Sequence, residues 1–173
     1  VVGSARDGHL QRPGAFHTTL RWLHGGLLPM VPGGETTRLD LLPTEIVTDF
    51  VARLEFKLPP GGNNGLAIRY PGEGDTAYTG MCELQILDDD APQYKGKIDP
   101  RQAHGSAYGM VAAQRGYLRP VGEWNFEEVT VKGSTIKVEL NGTVILDTDL
   151  SKVDPATFMA KNPHPGKDRT SGY

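Results

Sequence analysis

The sequence predicts an all-β fold in which two sheets pack face to face, and two observations support this prediction. Short apolar runs alternate with polar residues at a period of two, and no stretch keeps a helical period. The chain is punctuated by 22 Gly and 13 Pro, which favour many short strands joined by turns. With 173 residues, of which 38% are hydrophobic, it has enough apolar side chains for one sizeable core. We therefore expect a single β-sandwich domain over residues 1–173.

The clearest predicted strand is "FVARLEFKL", residues 50–58. Its alternation puts charged side chains on one face and, on the other, Phe50, Ala52, Leu54, Phe56 and Leu58. The Gly- and Asn-rich turn at 59–65 leads into a second strand, "LAIRY", where Leu66 and Ile68 share one face. A third strand is predicted within "TGMCELQILDD", residues 79–89.

Two strong polar side chains lie next to each other on one face of this third strand. Because successive side chains of a strand point to opposite faces, Cys82, Leu84 and Ile86 can enter the core. Glu83 and Gln85 then face the other way together. A solvated outer face of a sandwich strand has the same pattern. The alternation alone does not decide between an exposed surface and a functional site.

The C-terminal third of the chain predicts a meander of three strands, "NFEEVTVKG", "STIKVEL" and "TVILDTDL". The dipeptide Asn141-Gly142 separates the last two runs and is a strong hairpin signal, because a type I′ turn needs positive φ at both central residues. Lys132-Gly133 predicts another tight turn between the first two runs.

Other regions are less regular. The run "AHGSAYGMVA", residues 103–112, also alternates and has His104 at its entry. The first 45 residues predict only weak strands, because Pro and Gly interrupt their apolar stretches. The chain starts with Val1, and its last residues stop where a Gly-containing turn leads towards another strand. We expect a missing leader at one end and a missing terminal strand at the other.

Charge and composition argue against several classes of protein. The net charge is −3, from 18 basic and 21 acidic residues with no basic cluster, so nucleic acid is not an expected partner. No apolar run is long enough to span a membrane. The single cysteine, Cys82, excludes an internal disulfide and a multi-cysteine metal site, and its alternation predicts a small buried hydrophobe. The sequence does not predict an oligomeric state.

An acidic run follows the third strand. Asp88, Asp89 and Asp90 are candidate ligands for a divalent cation such as calcium, which takes carboxylate oxygens from flexible loops. Their spacing does not match an EF-hand, and acidic turns are commonly just solvated. A metal therefore remains one of two interpretations of this run.

Several separated motifs, in this order, carry a resemblance to a known family. They are "FVARLEFKLPPGGNNGLAIRYP", "YTGMCELQILDD", "HGSAYGMV" and "GEWNFEEVTVKGSTIKVELNGTVILDTDL". Over about residues 48–173 the chain resembles the 3-keto-disaccharide hydrolase domain family, so 46–173 form the family-like core. The resemblance implies a concanavalin-like jelly-roll sandwich, an enzyme acting on carbohydrate, and a parent protein exported to the periplasm or outside the cell. In that family a further strand normally follows the position of "DRTSGY".

The resemblance also implies a site. In such sandwiches a concave sheet holds the sugar groove, and the matching positions on or near it are Arg69, Glu83, Gln85, His104, Tyr108 and Trp124. Glu83 and His104 are the candidate catalytic residues, and the other four are candidate substrate-binding residues. The same fold serves both enzymes and lectins, so the fold alone does not choose between catalysis and binding.

The chemistry of this residue set favours a ketone substrate over an ordinary glycoside. Ordinary glycoside hydrolysis needs two carboxylic acids, but the neighbour of Glu83 on its own face is the amide Gln85. In a 3-keto sugar the ketone acidifies the C2 hydrogen, so a single base can start elimination at C1 and water addition completes the cleavage. Glu83 or His104 could be that base. Arg69, the Gln85 amide or a bound cation could hold the oxyanion.

Each assignment has a purely structural alternative. Glu83 and Arg69 can form a cross-strand ion pair, His104 can satisfy a loop carbonyl, and Trp124 can belong to the core. At the level of the whole protein, the alternatives are a non-catalytic carbohydrate-binding module and an interaction domain. An enzyme needs the polar side chains to converge on one substrate carbon, whereas a binding module can rely on scattered amides and aromatic faces.

Overall fold

The computed structural model describes residues 46–75, 77–159 and 163–173, and residues 16–21 as backbone. Seven strands are described: β1 (Phe16–Arg21), β2 (Phe50–Lys57), β3 (Asn63–Ile68), β4 (Cys82–Leu87), β5 (Trp124–Lys132), β6 (Thr135–Leu140) and β7 (Thr143–Asp149). Three short 3₁₀ turns cover Pro100–Gln102, Leu150–Lys152 and Pro155–Thr157. The described residues are therefore nearly all β, as the alternation predicted.

The strands form two sheets. The larger has the order β1-β2-β5-β6-β7, in which β1 runs parallel to β2 and the other neighbours are antiparallel. The smaller is the antiparallel pair β3-β4. The predicted strand at 103–112 is instead a short edge beside β4, held by hydrogen bonds from Gly105 N to Gln85 O and from Tyr108 N to Glu83 O. This edge brings Tyr108 next to Glu83.

The core lies between the two sheets. Leu54, Val129 and Val138 of the larger sheet and Ile68 and Leu84 of the smaller are at most 3% exposed. Every second residue of β2, β4 and β6 enters this core, because strand side chains alternate between faces. Cys82 is also fully buried there, as predicted, and burial raises the pKa of its thiol. The described residues contain no helix long and apolar enough to cross a membrane.

The predicted C-terminal meander is confirmed. Strands β5, β6 and β7 follow one another as antiparallel neighbours. Asn141 and Gly142 have φ of 50° and 85°, the left-handed values that the hairpin between β6 and β7 requires. Gly133, with φ of 54°, follows β5 at the other predicted turn.

Arg69 joins loops at one end of the sandwich. It follows β3 with a left-handed φ of 51°, and its side chain is 1% exposed. Its Nε and Nη2 donate to Thr48 O at 2.9 and 2.7 Å, and Nη1 donates to Gly133 O at 2.7 Å and Arg169 O at 2.9 Å. Nη2 also lies 3.3 Å from Asp49 Oδ1. The guanidinium therefore ties three separate chain segments to the end of β3.

Replacing Arg69 by Met should destabilise the fold strongly. The substitution removes the hydrogen bonds that the buried guanidinium donates to Thr48 O, Gly133 O and Arg169 O. Because hydrogen bonds to a charged group contribute roughly 1.5–3 kcal/mol each, we expect the free energy of unfolding to fall by roughly 3–5 kcal/mol. Arg53→Met is the matched control, because Arg53 pairs with Glu128 on a partly exposed face and should cost about 1 kcal/mol or less. Urea unfolding measures both. Equal losses in the two variants would contradict the structural role of Arg69.

Candidate functional site

The outer face of the smaller sheet carries the polar pair that the alternation predicted. Strand register places six side-chain positions on this face: Asn63, Gly65, Ala67, Glu83, Gln85 and Leu87. Gly65 lies opposite Gln85 and diagonally beside Glu83. A Cβ atom at Gly65 would overlap Glu83 Oε1, so the carboxylate occupies the space that the missing side chain leaves.

Glu83 and Gln85 have different surroundings. Glu83 is half-buried, whereas Gln85 is 5% exposed and its Nε2 donates to Asn63 Oδ1 at 2.9 Å. That hydrogen bond fixes the amide with its donor turned towards β3. The face therefore presents one carboxylate, and an amide holds the position two residues further along β4.

Two tyrosines stand beside this carboxylate. Tyr108 comes from the edge segment next to β4, and its hydroxyl accepts a hydrogen bond from Gln102 Nε2 at 2.9 Å. The ring centre of Tyr78 lies 6.3 Å from that of Tyr108. Burial, followed by the proximity of Tyr108, Asp75 and Glu83, raises the pKa of Tyr78. The Tyr78 phenol therefore keeps its proton at neutral pH.

His164 adds an imidazole to the same cluster. It is 8% exposed, and its ring packs edge-on against Tyr78 at 5.4 Å and Phe158 at 5.6 Å. Among the residues that the structure describes, neither ring nitrogen has a hydrogen-bond partner, and burial lowers the pKa of the imidazole. Sequence reasoning did not select His164, because no spacing within the chain connects it to Tyr78.

His104 lies elsewhere, between the two sheets. Its Nδ1 accepts from Leu87 N at 3.4 Å, its ring packs on Phe56 at 5.5 Å, and its Nε2 lies 3.1 Å from Glu127 Oε2. The two atoms are close, but they do not meet the angular criteria for a hydrogen bond. Phe56 and Glu127 face the core, whereas Glu83 faces away from it. The structure therefore does not bring the two predicted catalytic residues together.

Glu127 is the buried partner that sequence reasoning missed. It is fully buried, and its position in β5 alternates in phase with the core residues Val129 and Val131. The alternation is visible in "NFEEVTV", where Glu127 falls in phase with the two valines, so the sequence could have predicted a buried carboxylate at this position. The partner, His104, lies too far along the chain for the pattern to reveal the pair.

Arg69 and Trp124 do not reach Glu83 in the way that the sequence suggested. The register puts Ala67, not Arg69, opposite Glu83, and the Arg69 guanidinium is occupied by main-chain carbonyls. Trp124 is 38% exposed on the outer face of the larger sheet, with Lys57 Nζ 5.0 Å from its ring centre. It is therefore neither a core residue nor a neighbour of the Glu83 face.

The acidic run does not converge on one point. Asp88 Oδ2 accepts from Gly61 N at 2.8 Å, and Asp89 accepts from His104 N at 2.9 Å. Asp90 pairs with Lys95 at 3.1 Å. Among the described residues no group of three or more His, Cys, Asp or Glu side chains is arranged to hold a metal ion. The carboxylates of Asp88 and Asp89 are used to hold loops beside β4.

The smaller sheet of the sandwich carries a carboxylate and amides on its outer face, with two tyrosines beside them. Because a fold of this kind can serve several functions, the class of protein is assigned from the family match. Residues 14–170 match the family described as the 3-keto-alpha-glucoside-1,2-lyase-like domain, and the chain belongs to that family. The match begins well before residue 48, where the motif resemblance starts, and so includes the N-terminal part of the chain.

Solved structures agree with this assignment. One candidate glycosyl hydrolase from Parabacteroides distasonis ATCC 8503 is 27% identical with a TM-score of 0.65, over 74% of this chain and 68% of that one. A second from the same organism is 23% identical with a TM-score of 0.60, over 75% and 64% of the two chains. A third is 21% identical with a TM-score of 0.51, over 75% and 56%. The latter two show the fold alone, and this chain spans less than two thirds of their length. No curated protein matches the chain.

Proposed function

We propose that this protein cleaves 3-keto glycosides by removing the C2 proton and eliminating the C1 substituent, with Glu83 as the base. The observation that carries the proposal is the position of Glu83: it is the one carboxylate among the six positions that β3 and β4 present on their outer face. Membership of a family named for a 3-keto-glucoside lyase supports the same chemistry. Elimination needs one base, whereas ordinary glycoside hydrolysis needs two carboxyl groups.

The reaction balances with the groups on this face. Glu83 takes the C2 proton, and the electron pair of that C–H bond becomes the enolate of the C3 ketone. The enolate re-forms the carbonyl as the C1–O bond breaks, which leaves a C1=C2 double bond and an alkoxide that takes up a proton. Water can then add its oxygen to C1 and a proton to C2, which gives the free 3-keto sugar. The net change is hydrolysis without a second carboxylate.

The neighbouring groups fit the remaining roles. The Gln85 amide and the Tyr108 hydroxyl lie on the same side of the sheet as Glu83 and can bind sugar hydroxyls. The periplasmic or extracellular location and carbohydrate as the partner stay predictions of the family resemblance, and a divalent cation stays a prediction from the acidic run Asp88, Asp89 and Asp90. No step above passes through a metal.

Asp75 is the reason to test an ordinary glycosidase mechanism directly. It lies close enough to Tyr78 to influence its pKa, as Glu83 does. Its Oδ1, however, accepts from Ala77 N at 2.9 Å and so caps the turn that carries Tyr78. A pair made of Asp75 and Glu83 would cleave unoxidised glycosides, and the elimination mechanism would not.

The test compares two chromogenic substrates that differ only at C3. The protein should release the chromophore from a 3-keto glucoside and not from the corresponding glucoside, with and without a chelator. Cleavage of both at similar rates would contradict elimination and favour ordinary hydrolysis. Binding of both without cleavage of either would favour a carbohydrate-binding module.

Gly65→Ala tests whether activity depends on the position of the Glu83 carboxylate, because it displaces this side chain and leaves its chemical identity unchanged. The new methyl group overlaps the Glu83 carboxylate, which should move, and we expect cleavage of the 3-keto glucoside to fall about tenfold or more. The new Cβ also overlaps Cδ and Cγ of Glu83, so the whole side chain must turn away. Because Glu83 is only half-buried and no backbone atom is among the overlapped atoms, we expect a modest fall in the melting temperature. In the Glu83→Gln background, Gly65→Ala should cause no further loss of activity. Additive losses in the double variant would show that Gly65 acts elsewhere.

A further inference from the structure

Glu83 and Gln85 reach across the smaller sheet in the same direction. The register places Gly65 opposite Gln85 and Asn63 opposite Leu87, so each of the two side chains crosses diagonally from β4 to β3. Glu83 lies over Gly65, and Gln85 Nε2 donates to Asn63 Oδ1 at 2.9 Å. Because both side chains lean the same way, we expect their polar heads to stay two residues of strand apart, roughly 6.6–6.8 Å.

Asn63 is itself held by a second hydrogen bond. Its Nδ2 donates to the Tyr94 hydroxyl at 3.4 Å. Tyr94 N donates to Ala91 O at 2.9 Å, which closes the turn that carries this phenol. The Asn63 amide therefore has its donor on Tyr94 and its acceptor on Gln85. Since an amide has one oxygen and one nitrogen, this pairing sets which atom of Asn63 faces Gln85.

The same pairing leaves one strong acceptor of Gln85 without a partner. Among the described residues, Gln85 Oε1 accepts no hydrogen bond, and it is not one of the fully buried polar atoms that lack a partner. The oxygen is therefore open to solvent, although the side chain as a whole is only 5% exposed. An amide oxygen accepts hydrogen bonds and donates none, so it suits a sugar hydroxyl.

We propose that Asn63 is a positioning residue that keeps Gln85 Oε1 turned towards the substrate, where this oxygen accepts a hydrogen bond from the C4 or C6 hydroxyl of the 3-keto sugar. This inference rests on the proposed function, because the assignment of Glu83 as the base determines where C2 lies. The expected separation of the two heads is close to the span of one pyranose ring. A hydroxyl on the C4 and C6 side of the ring therefore falls beside Gln85.

Sugar analogues that lack one hydroxyl test this assignment by binding alone. The ligands are 3-keto-1,5-anhydroglucitol, which has no C1 substituent to lose, and its 4-deoxy and 6-deoxy forms. Calorimetry should show that one deoxy ligand binds about threefold to tenfold more weakly than the parent ligand, the effect of losing one neutral hydrogen bond. Asn63→Leu should weaken the parent ligand by a similar factor. It should not weaken that deoxy ligand further, because both changes remove the same interaction.

Two other substitutions separate orientation from packing. Asn63→Asp keeps an oxygen that accepts from Gln85 Nε2, so the parent ligand should bind nearly as tightly as it does to the unmodified protein. Asn64→Leu is the matched control, because Asn64 is an exposed residue on the opposite face of β3. It should leave the affinity unchanged. Asn63 is also exposed, so the melting temperature should stay close to normal in all three variants.

Each outcome supports the proposal or overturns it. A loss that Asn63→Leu shares with one deoxy ligand, and that Asn63→Asp avoids, supports it. Equal losses in Asn63→Asp and Asn63→Leu would overturn it, because Asn63 would then be the donor to Gln85. Equal weakening of all three ligands by Asn63→Leu would also overturn it.

The binding data and the cleavage data separate this inference from the proposed function. Binding as predicted, with no cleavage of a 3-keto glucoside by the unmodified protein, would overturn the proposed function and leave Asn63 as a positioning residue of a sugar-binding site. Cleavage without the predicted pattern of binding would overturn the role of Asn63 alone. No binding of the parent ligand would overturn both.

Discussion

Glu83→Gln should lower kcat/KM for a 3-keto glucoside by about 10²–10⁴, the range expected when a positioned general base is removed. Gln has nearly the same volume as Glu and keeps a hydrogen-bonding head over Gly65, but it cannot accept the C2 proton. Substrate binding and the free energy of unfolding should therefore change little. Steady-state kinetics and urea unfolding measure these quantities.

Glu139→Gln is the matched control for this experiment. Glu139 lies in β6 of the larger sheet, opposite Glu128 and away from the β3-β4 face. Its loss should leave kcat/KM unchanged. Full activity of Glu83→Gln on the 3-keto glucoside would exclude Glu83 as the base.

The second large effect is expected on stability. Glu127→Leu should reduce the free energy of unfolding by about 3–5 kcal/mol, because removing one member of a buried pair leaves the other without compensation. The remaining partner is His104, whose Nε2 is buried 3.1 Å from Glu127 Oε2. Urea unfolding monitored by fluorescence gives the free energy directly.

A double-mutant cycle tests whether the pair is the cause. His104→Leu combined with Glu127→Leu removes both polar groups and replaces them with apolar ones, so the double variant should be more stable than the sum of the single losses predicts. Additive losses would show that the two side chains act independently. Both side chains lie between the sheets and away from Glu83. At a temperature where the double variant is folded, its kcat/KM for the 3-keto glucoside should therefore stay within about tenfold of that of the unmodified protein.

The parts of the fold that the sequence predicts well depend on local signals. Alternation in "FVARLEFKL" predicted β2 and its buried face, and Asn141-Gly142 predicted the hairpin between β6 and β7. Both signals act within a few residues, where the period of a strand and the φ preference of a turn decide the outcome. The same alternation correctly put Glu83 and Gln85 on the face away from the core.

The side chains that depend on distant segments were harder to predict. Arg69 turns inward because its φ is left-handed, which interrupts the alternation of β3. Tyr78 and His164 meet only because the C-terminal segment packs on the turn before β4. His104 was expected beside Glu83, but it pairs with Glu127 between the sheets. Such pairings depend on tertiary contacts that periodicity does not contain.

The most direct test of elimination follows the hydrogen at C2. A 3-keto glucoside is cleaved in D2O, and the C2 position of the product is examined by NMR against unreacted substrate and against product incubated without protein. Elimination and hydration predict deuterium at C2 of the product beyond both controls, and slower cleavage of a C2-deuterated substrate. A product that keeps its C2 hydrogen, released at the same rate from both isotopic substrates, would contradict the mechanism.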